Sequence, residues 1–141
     1  YDSTLQVMDE WNNQLFLSDY VNMDSTISYK GGELAKGRYY CIRGERPDGK
    51  QVFMLFNLTA DPNKIKSYTQ LTEADMTFPS SIPNPNHGGA YIITFVQIHD
   101  GSRKWNFSHG CLTLLNYGGI YEFDRLLNLF AVNEIAEVII E

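Results

Sequence analysis

The sequence predicts a mostly β domain with one short amphipathic helix, and three features carry that expectation. Runs of aromatic and β-branched residues of strand length recur along the chain. Clusters of glycine, proline and Asp-Gly separate those runs. Only one stretch, from Ile120 to Phe130, repeats its apolar residues at a helical period. With 141 residues, no internal repeat and no linker-like break, the chain reads as a single domain, 1–141.

Taken in order, the residues before about Lys30 are poorly periodic, with Leu15, Phe16 and Leu17 as a short strand followed by polar turn material. Gly31, Gly32 and Gly37 bracket a loop that leads into a strand over Arg38 to Arg43. Arg46-Pro47-Asp48-Gly49 is turn chemistry, because proline presets one dihedral and Asp-Gly accommodates the next. A second strand, Gln51 to Leu58, completes a hairpin. Asp61 to Pro85 holds four of the five prolines and many Ser, Thr and Asn residues. It reads as an irregular connection, either a lid over a site or a variable surface loop. Ala90 to His99 is apolar on both parities, the pattern of one central strand buried on both faces, with His99 emerging at its end. Cys111 to Leu115 resumes a strand and Gly118-Gly119 ends it. Ile120, Phe123, Leu127 and Phe130 form the stripe of a short amphipathic helix, with Glu122, Arg125 and Asn128 on the other face. Ala136 to Ile140 is a final strand.

Composition narrows the function classes. The apolar fraction of 43% excludes a disordered chain. No apolar run is long enough to be a helical membrane span. Seventeen acidic residues against eleven basic ones give a formal charge of −6, which disfavours nucleic acid as a partner. The two cysteines, Cys41 and Cys111, are too few for a disulfide scaffold, and Cys41, inside a strand, reads as a buried inert thiol. The chain starts at Tyr1, so location follows from the chemistry rather than from a leader.

The chemistry concentrates in Ser108-His109-Gly110-Cys111. A free thiol, with pKa of about 8.5, is mostly protonated at neutral pH and needs a neighbouring imidazole to become an efficient nucleophile. Two imidazoles, His99 and His109, lie within twelve residues upstream. Gly110 lacks a Cβ, which lets backbone amides approach an oxyanion formed beside Cys111. The competing readings are a buried core thiol and a zinc site built from His99, His109 and Cys111. The flanking histidines weigh against the first, and the lack of closely paired ligands against the second. His87, between Asn84-Pro85-Asn86 and Gly88-Gly89, reads as a solvated loop residue, with a substrate contact as the lesser alternative. Asn57-Leu58-Thr59 matches a glycosylation pattern and is discounted.

Preceded by Ile98-His99-Asp100-Gly101, this run resembles the active-site signature of the L,D-transpeptidases, in which a strand ends in histidine and a Ser/Thr-His-Gly-Cys run delivers the nucleophile. Gly32-Glu33-Leu34-Ala35-Lys36-Gly37-Arg38-Tyr39 is similar to that family's glycine-containing turn into a tyrosine-bearing strand, so the resemblance spans about Gly31 to Leu114. It implies an L,D-transpeptidase-like β-sandwich or barrel-like catalytic domain that needs no cofactor and no metal. Cys111 would attack a peptidoglycan stem peptide, with His99 as its base and the Asp100 carbonyl orienting the ring. His109 and Gly110 would shape the oxyanion hole. Ser108, Asp100, Arg103 and Trp105 would line the substrate site. A periplasmic, envelope or secreted location follows. Two departures stand out: Thr113 occupies the place of the family's usual arginine, and the loop from His99 to Ser108 is short. Both are similar to the L,D-transpeptidase-like effectors injected by type VI secretion systems, which would add an immunity protein as a partner. A catalytically silent wall-binding module of the same fold is the alternative.

Overall fold

The computed structural model describes residues 3–22, 31–101 and 111–141. Nearly all of the regular structure is β. In chain order the strands are β1 (Ser3–Met8), β2 (Gln14–Asn22), β3 (Gly37–Glu45), β4 (Gln51–Phe56), β5 (Thr77–Asn84), β6 (Ala90–Thr94), β7 (Gln97–Gly101), β8 (Leu112–Tyr117), β9 (Ile120–Tyr121) and β10 (Ile135–Ile140). Among the described residues a single α-helix, α1 (Glu122–Leu127), lies between β9 and β10.

The main sheet runs β2-β1-β10-β3-β4-β7-β8-β9, and a further pairing of β2 with β8 closes it on itself. Closure rests on Val21 opposite Leu114 and Asn22 opposite Thr113, which leaves β9 as a ribbon outside the ring. Closing a sheet removes its exposed edges, which otherwise invite pairing with other chains. All pairings are antiparallel except β7 with β8. The interior is filled by Phe16, Phe53, Leu55, Ile98, Leu112 and Leu114, all at most 2% exposed. The helix plugs one end through buried Phe123 and Leu126. Phe53 meets Phe123 and Phe130 edge-on, with centroids 6.1 and 5.8 Å apart, a geometry favoured by the ring quadrupoles. Arg43 ties that end to β3, donating to the carbonyls of Leu127 and Phe130 and to the Gln51 side chain.

Among the described strands β5 and β6 pair with each other, apart from the main sheet, and form an arm beside the barrel, with a bridge from Ser80 to Leu34. Asn57 holds the base of the arm, its Nδ2 donating to the carbonyls of Ala74, Asp75 and Thr77 at 3.3, 3.1 and 2.8 Å. Buried Phe78 packs edge-on against Tyr39 at 5.4 Å. The 31–36 turn clasps the arm through Ala35 N to Pro79 O at 3.0 Å and Ser81 N to Glu33 O at 2.7 Å. Gly32 sits there with φ +60, and a Cβ on it would lie 2.8 Å from Ser80 Oγ. Only a residue without a side chain fits that turn without displacing the arm.

Several sequence expectations change. The Ala90–His99 run is two strands, not one. Phe95 adopts φ +57 and turns the chain from β6, in the arm, to β7, in the barrel. Tyr91 and Ile92 accordingly face solvent at 60% and 37% exposure instead of lining a core. The poorly periodic N-terminal stretch forms two barrel strands, and β1 lies inside the sheet between β2 and β10. The 61–85 stretch contains short 3-10 turns and then β5. The helix is shorter than its apolar stripe: Ile120 belongs to β9, and Phe130 is buried from the turn that follows. The β3–β4 hairpin and the final strand form where expected, although β10 is central, between β1 and β3.

Candidate active site

The parallel pair β7–β8 sets the positions that matter. Ile98 lies opposite Leu112 and His99 opposite Thr113, which puts Gln97 level with Cys111 just before β8. Alternation turns Ile98 into the core while Gln97 and His99 share the other face, both half-buried. The Gln97 amide donates to Cys111 Sγ at 3.4 Å, and the Phe95 carbonyl lies 4.0 Å from the same sulfur. His99 is therefore two residues along from the position level with Cys111, on the adjacent strand and the same face as Gln97. Its Nδ1 is 3.1 Å from the Asp100 carbonyl. In the tautomer that donates this bond, Nε2 is left as the proton acceptor.

Cys111 opens onto a pocket of about 140 Å³ between the barrel and the arm. The arm contributes Asn84, Asn86, His87, Ile93 and Thr94 to its wall, Phe95 and Val96 follow from the β6–β7 break, and Gly31 closes one side. Gly31 immediately precedes the Gly32–Tyr39 segment that carried the weaker part of the resemblance; no residue of that segment lines the pocket. Phe95, a non-glycine residue in the left-handed region, is also 47% exposed. Such backbone costs on the order of 1–3 kcal/mol and persists only where surrounding structure enforces it.

The two thiols differ in setting. Cys41, at 1% exposure, is buried within β3, and its pKa is pushed up to about 12 by burial, partly offset by a backbone hydrogen bond from Ala136. It is the inert core thiol that the sequence suggests. Cys111 is part-exposed at the pocket, yet burial is also the main influence on it and raises its pKa. The Gln97 amide and the positive charge of Arg46 act in the opposite direction.

No protein-family model, curated protein or solved structure matches this chain. The site is therefore read from its own geometry and from the resemblance of its motif.

Of the residues singled out in the sequence, Cys111, His99 and Asp100 come together at the β7–β8 pair. Arg103, Trp105, Ser108, His109 and Gly110 lie outside the described residues. Thr113, in the place of the family's arginine, is 2% exposed, and its hydroxyl has no hydrogen-bond partner among the described residues. His87 corrects the sequence reading. It is half-buried rather than solvated, lines the Cys111 pocket and shares a hydrogen bond of 3.3 Å between Nε2 and Thr94 Oγ1. Asn84 is a second residue that sequence reasoning missed. Its side chain, 2% exposed overall, donates to Ile92 O at 2.9 Å and accepts from Asn86 N at 3.0 Å, bracing the turn that carries His87. Its Asn-Pro-Asn sequence signals a turn, but nothing in it signals a neighbour 24 to 27 residues onward; that proximity is tertiary.

Proposed function

We propose that this chain is a cysteine-dependent acyl transferase of L,D-transpeptidase type, acting on peptidoglycan stem peptides through a thioester on Cys111. The observation that carries the reading is Cys111 opening onto a pocket, two residues along the β7–β8 register from His99, whose ring is braced by the Asp100 carbonyl. Cys111 attacks the carbonyl between the third and fourth stem residues, His99 takes the thiol proton, and terminal D-alanine leaves. An amine from a second stem resolves the thioester into a crosslink, and water resolves it by trimming. A closed mixed sheet carrying the nucleophile on a parallel pair is compatible with an L,D-transpeptidase-like domain. The substrate is a wall polymer, so the protein works in the periplasm, in the envelope or after secretion. As an injected effector it would be matched by an immunity protein.

Mass spectrometry of muropeptides incubated with wild type and with Cys111→Ala tests the reading. Loss of terminal D-alanine, or new dimers, with the wild type alone supports it and separates trimming from transfer. Unchanged muropeptides with both folded proteins overturn it. A second reading, a silent wall-binding module, is favoured by the burial that raises the Cys111 pKa. It expects Cys111 to alkylate no faster than Cys41 at neutral pH, and muropeptides to bind without change.

A further inference from the structure

The proposed acyl transfer requires a proton on the departing amine, and the pocket contains a group able to supply it. We propose that His87 exchanges protons with the leaving and incoming groups, while His99 serves the thiol. The inference rests on the acyl-transfer reading of Cys111.

His87 and Cys111 are the titratable residues among those described that line the pocket. His99, from β7, is not part of that lining, although it stands near Cys111 along the sheet. A leaving group expelled from an acyl centre at Sγ is in the pocket and meets His87 rather than His99. The ring is also positioned. Thr94 engages Nε2 at 3.3 Å, which leaves Nδ1 as the nitrogen for a ligand proton. The turn beneath it is fixed by Asn84 and by the bond from Gly89 N to Asn84 O at 2.9 Å. A proton-transfer group on a braced turn thus shares a pocket of about 140 Å³ with the thiol, as a proton donor to a group bound there must. Among the described residues, the other ionisable groups bearing on the pocket are Cys111, just before β8, His99 from β7 and Arg46 from the β3–β4 turn, whose charge acts on the thiol.

The proton inventory balances. His99 accepts the Cys111 proton as the C–S bond forms. Protonated His87 then donates to nitrogen as the C–N bond breaks, leaving a neutral amine, the thioester and neutral His87. In deacylation His87 accepts a proton from the attacking amine or water, and protonated His99 returns one to the thiolate as the C–S bond breaks. Both imidazoles end as they began.

Leaving-group dependence tests this division. Single-turnover formation of the Cys111 acyl adduct is followed by mass spectrometry, using the full chain with a tetrapeptide muropeptide and with a thioester of the same tripeptide acyl group. A thiolate leaves without needing a proton. His87→Gln is expected to slow acylation by the amide about a hundredfold or more while leaving acylation by the thioester close to the wild-type rate. His99→Gln should slow both. Added imidazole should restore amide acylation to His87→Ala, which a merely structural role would not allow. Equal slowing on both substrates, no slowing on either, or no rescue overturns the assignment of His87. A wild type that forms no adduct with either substrate overturns the acyl-transfer reading itself.

Discussion

At Cys111 two influences oppose each other. Burial raises the pKa of the thiol, while the Gln97 amide and the Arg46 charge lower it, and burial is the stronger. A nucleophilic role therefore depends on proton removal by a neighbouring imidazole, and His99→Gln should slow alkylation of Cys111 by iodoacetamide at pH 7 by about tenfold or more. Quenched-flow labelling checks it, and an unchanged rate would remove His99 from the mechanism. Cys41 gives a prediction of opposite character. Its folded pKa is raised from 9.0 to about 12 by burial, so the unfolded state loses its proton first. The stability associated with the neutral thiol is present below about pH 9 and declines as pH rises towards 12. The stability advantage of wild type over Cys41→Ala in urea melts should shrink between pH 8 and pH 10, whereas a constant difference would contradict the burial argument. Thr113 leaves a buried hydroxyl unpartnered among the described residues. Removing such a group by the isosteric Thr113→Val change should stabilise the fold by about 1 kcal/mol, measurable by urea denaturation; a loss of stability would mean that the hydroxyl has a partner.

The arm is the element on which the pocket depends. Its position is set by the 31–36 turn, where Gly32 adopts φ +60 against Ser80 and Asn84. Gly32→Ala adds strain and places a Cβ 2.8 Å from Ser80 Oγ, so the arm must shift. The expected outcome is a drop in muropeptide turnover of about tenfold or more, because small displacements of positioning groups are costly to catalysis, with the barrel still folded by circular dichroism. Unaltered turnover would show that the arm does not shape the site. The arm also explains why the Ala90–His99 run misleads. A continuous apolar stretch carries no periodicity to mark a break, and Phe95 turns only because β6 belongs to the arm and β7 to the barrel. By contrast, the β3–β4 hairpin is legible in sequence because Pro47-Asp48-Gly49 encodes its turn locally.

Over the whole molecule, closure makes the first strand indispensable. β1 lies between β2 and β10, with Thr4 and Glu141 exchanging backbone hydrogen bonds of 2.8 and 2.9 Å. Deleting residues 1–8 removes a central strand that contributes fully buried Leu5 and Val7. The truncated chain should lose its cooperative thermal transition rather than show a lowered midpoint, as near-UV circular dichroism would reveal. A cooperative transition within a few degrees of wild type would mean that the barrel is held elsewhere. Little of this could be read from the sequence, since β1 and β2 alternate only weakly and, beyond each other, their partners β10 and β8 lie far along the chain.

What the sequence by itself determined is local: the β character, the β3–β4 turn, the inert strand setting of Cys41 and the His99–Cys111 spacing that singles out a thiol with an imidazole near it. Each depends on residues close in the chain, where side-chain type and backbone preference act directly. Tertiary structure alone decided the closure of the sheet, the break at Phe95 and the approach of the arm. Through that approach His87 stands at the Cys111 pocket, because strand pairing and burial join segments whose sequences contain no sign of each other.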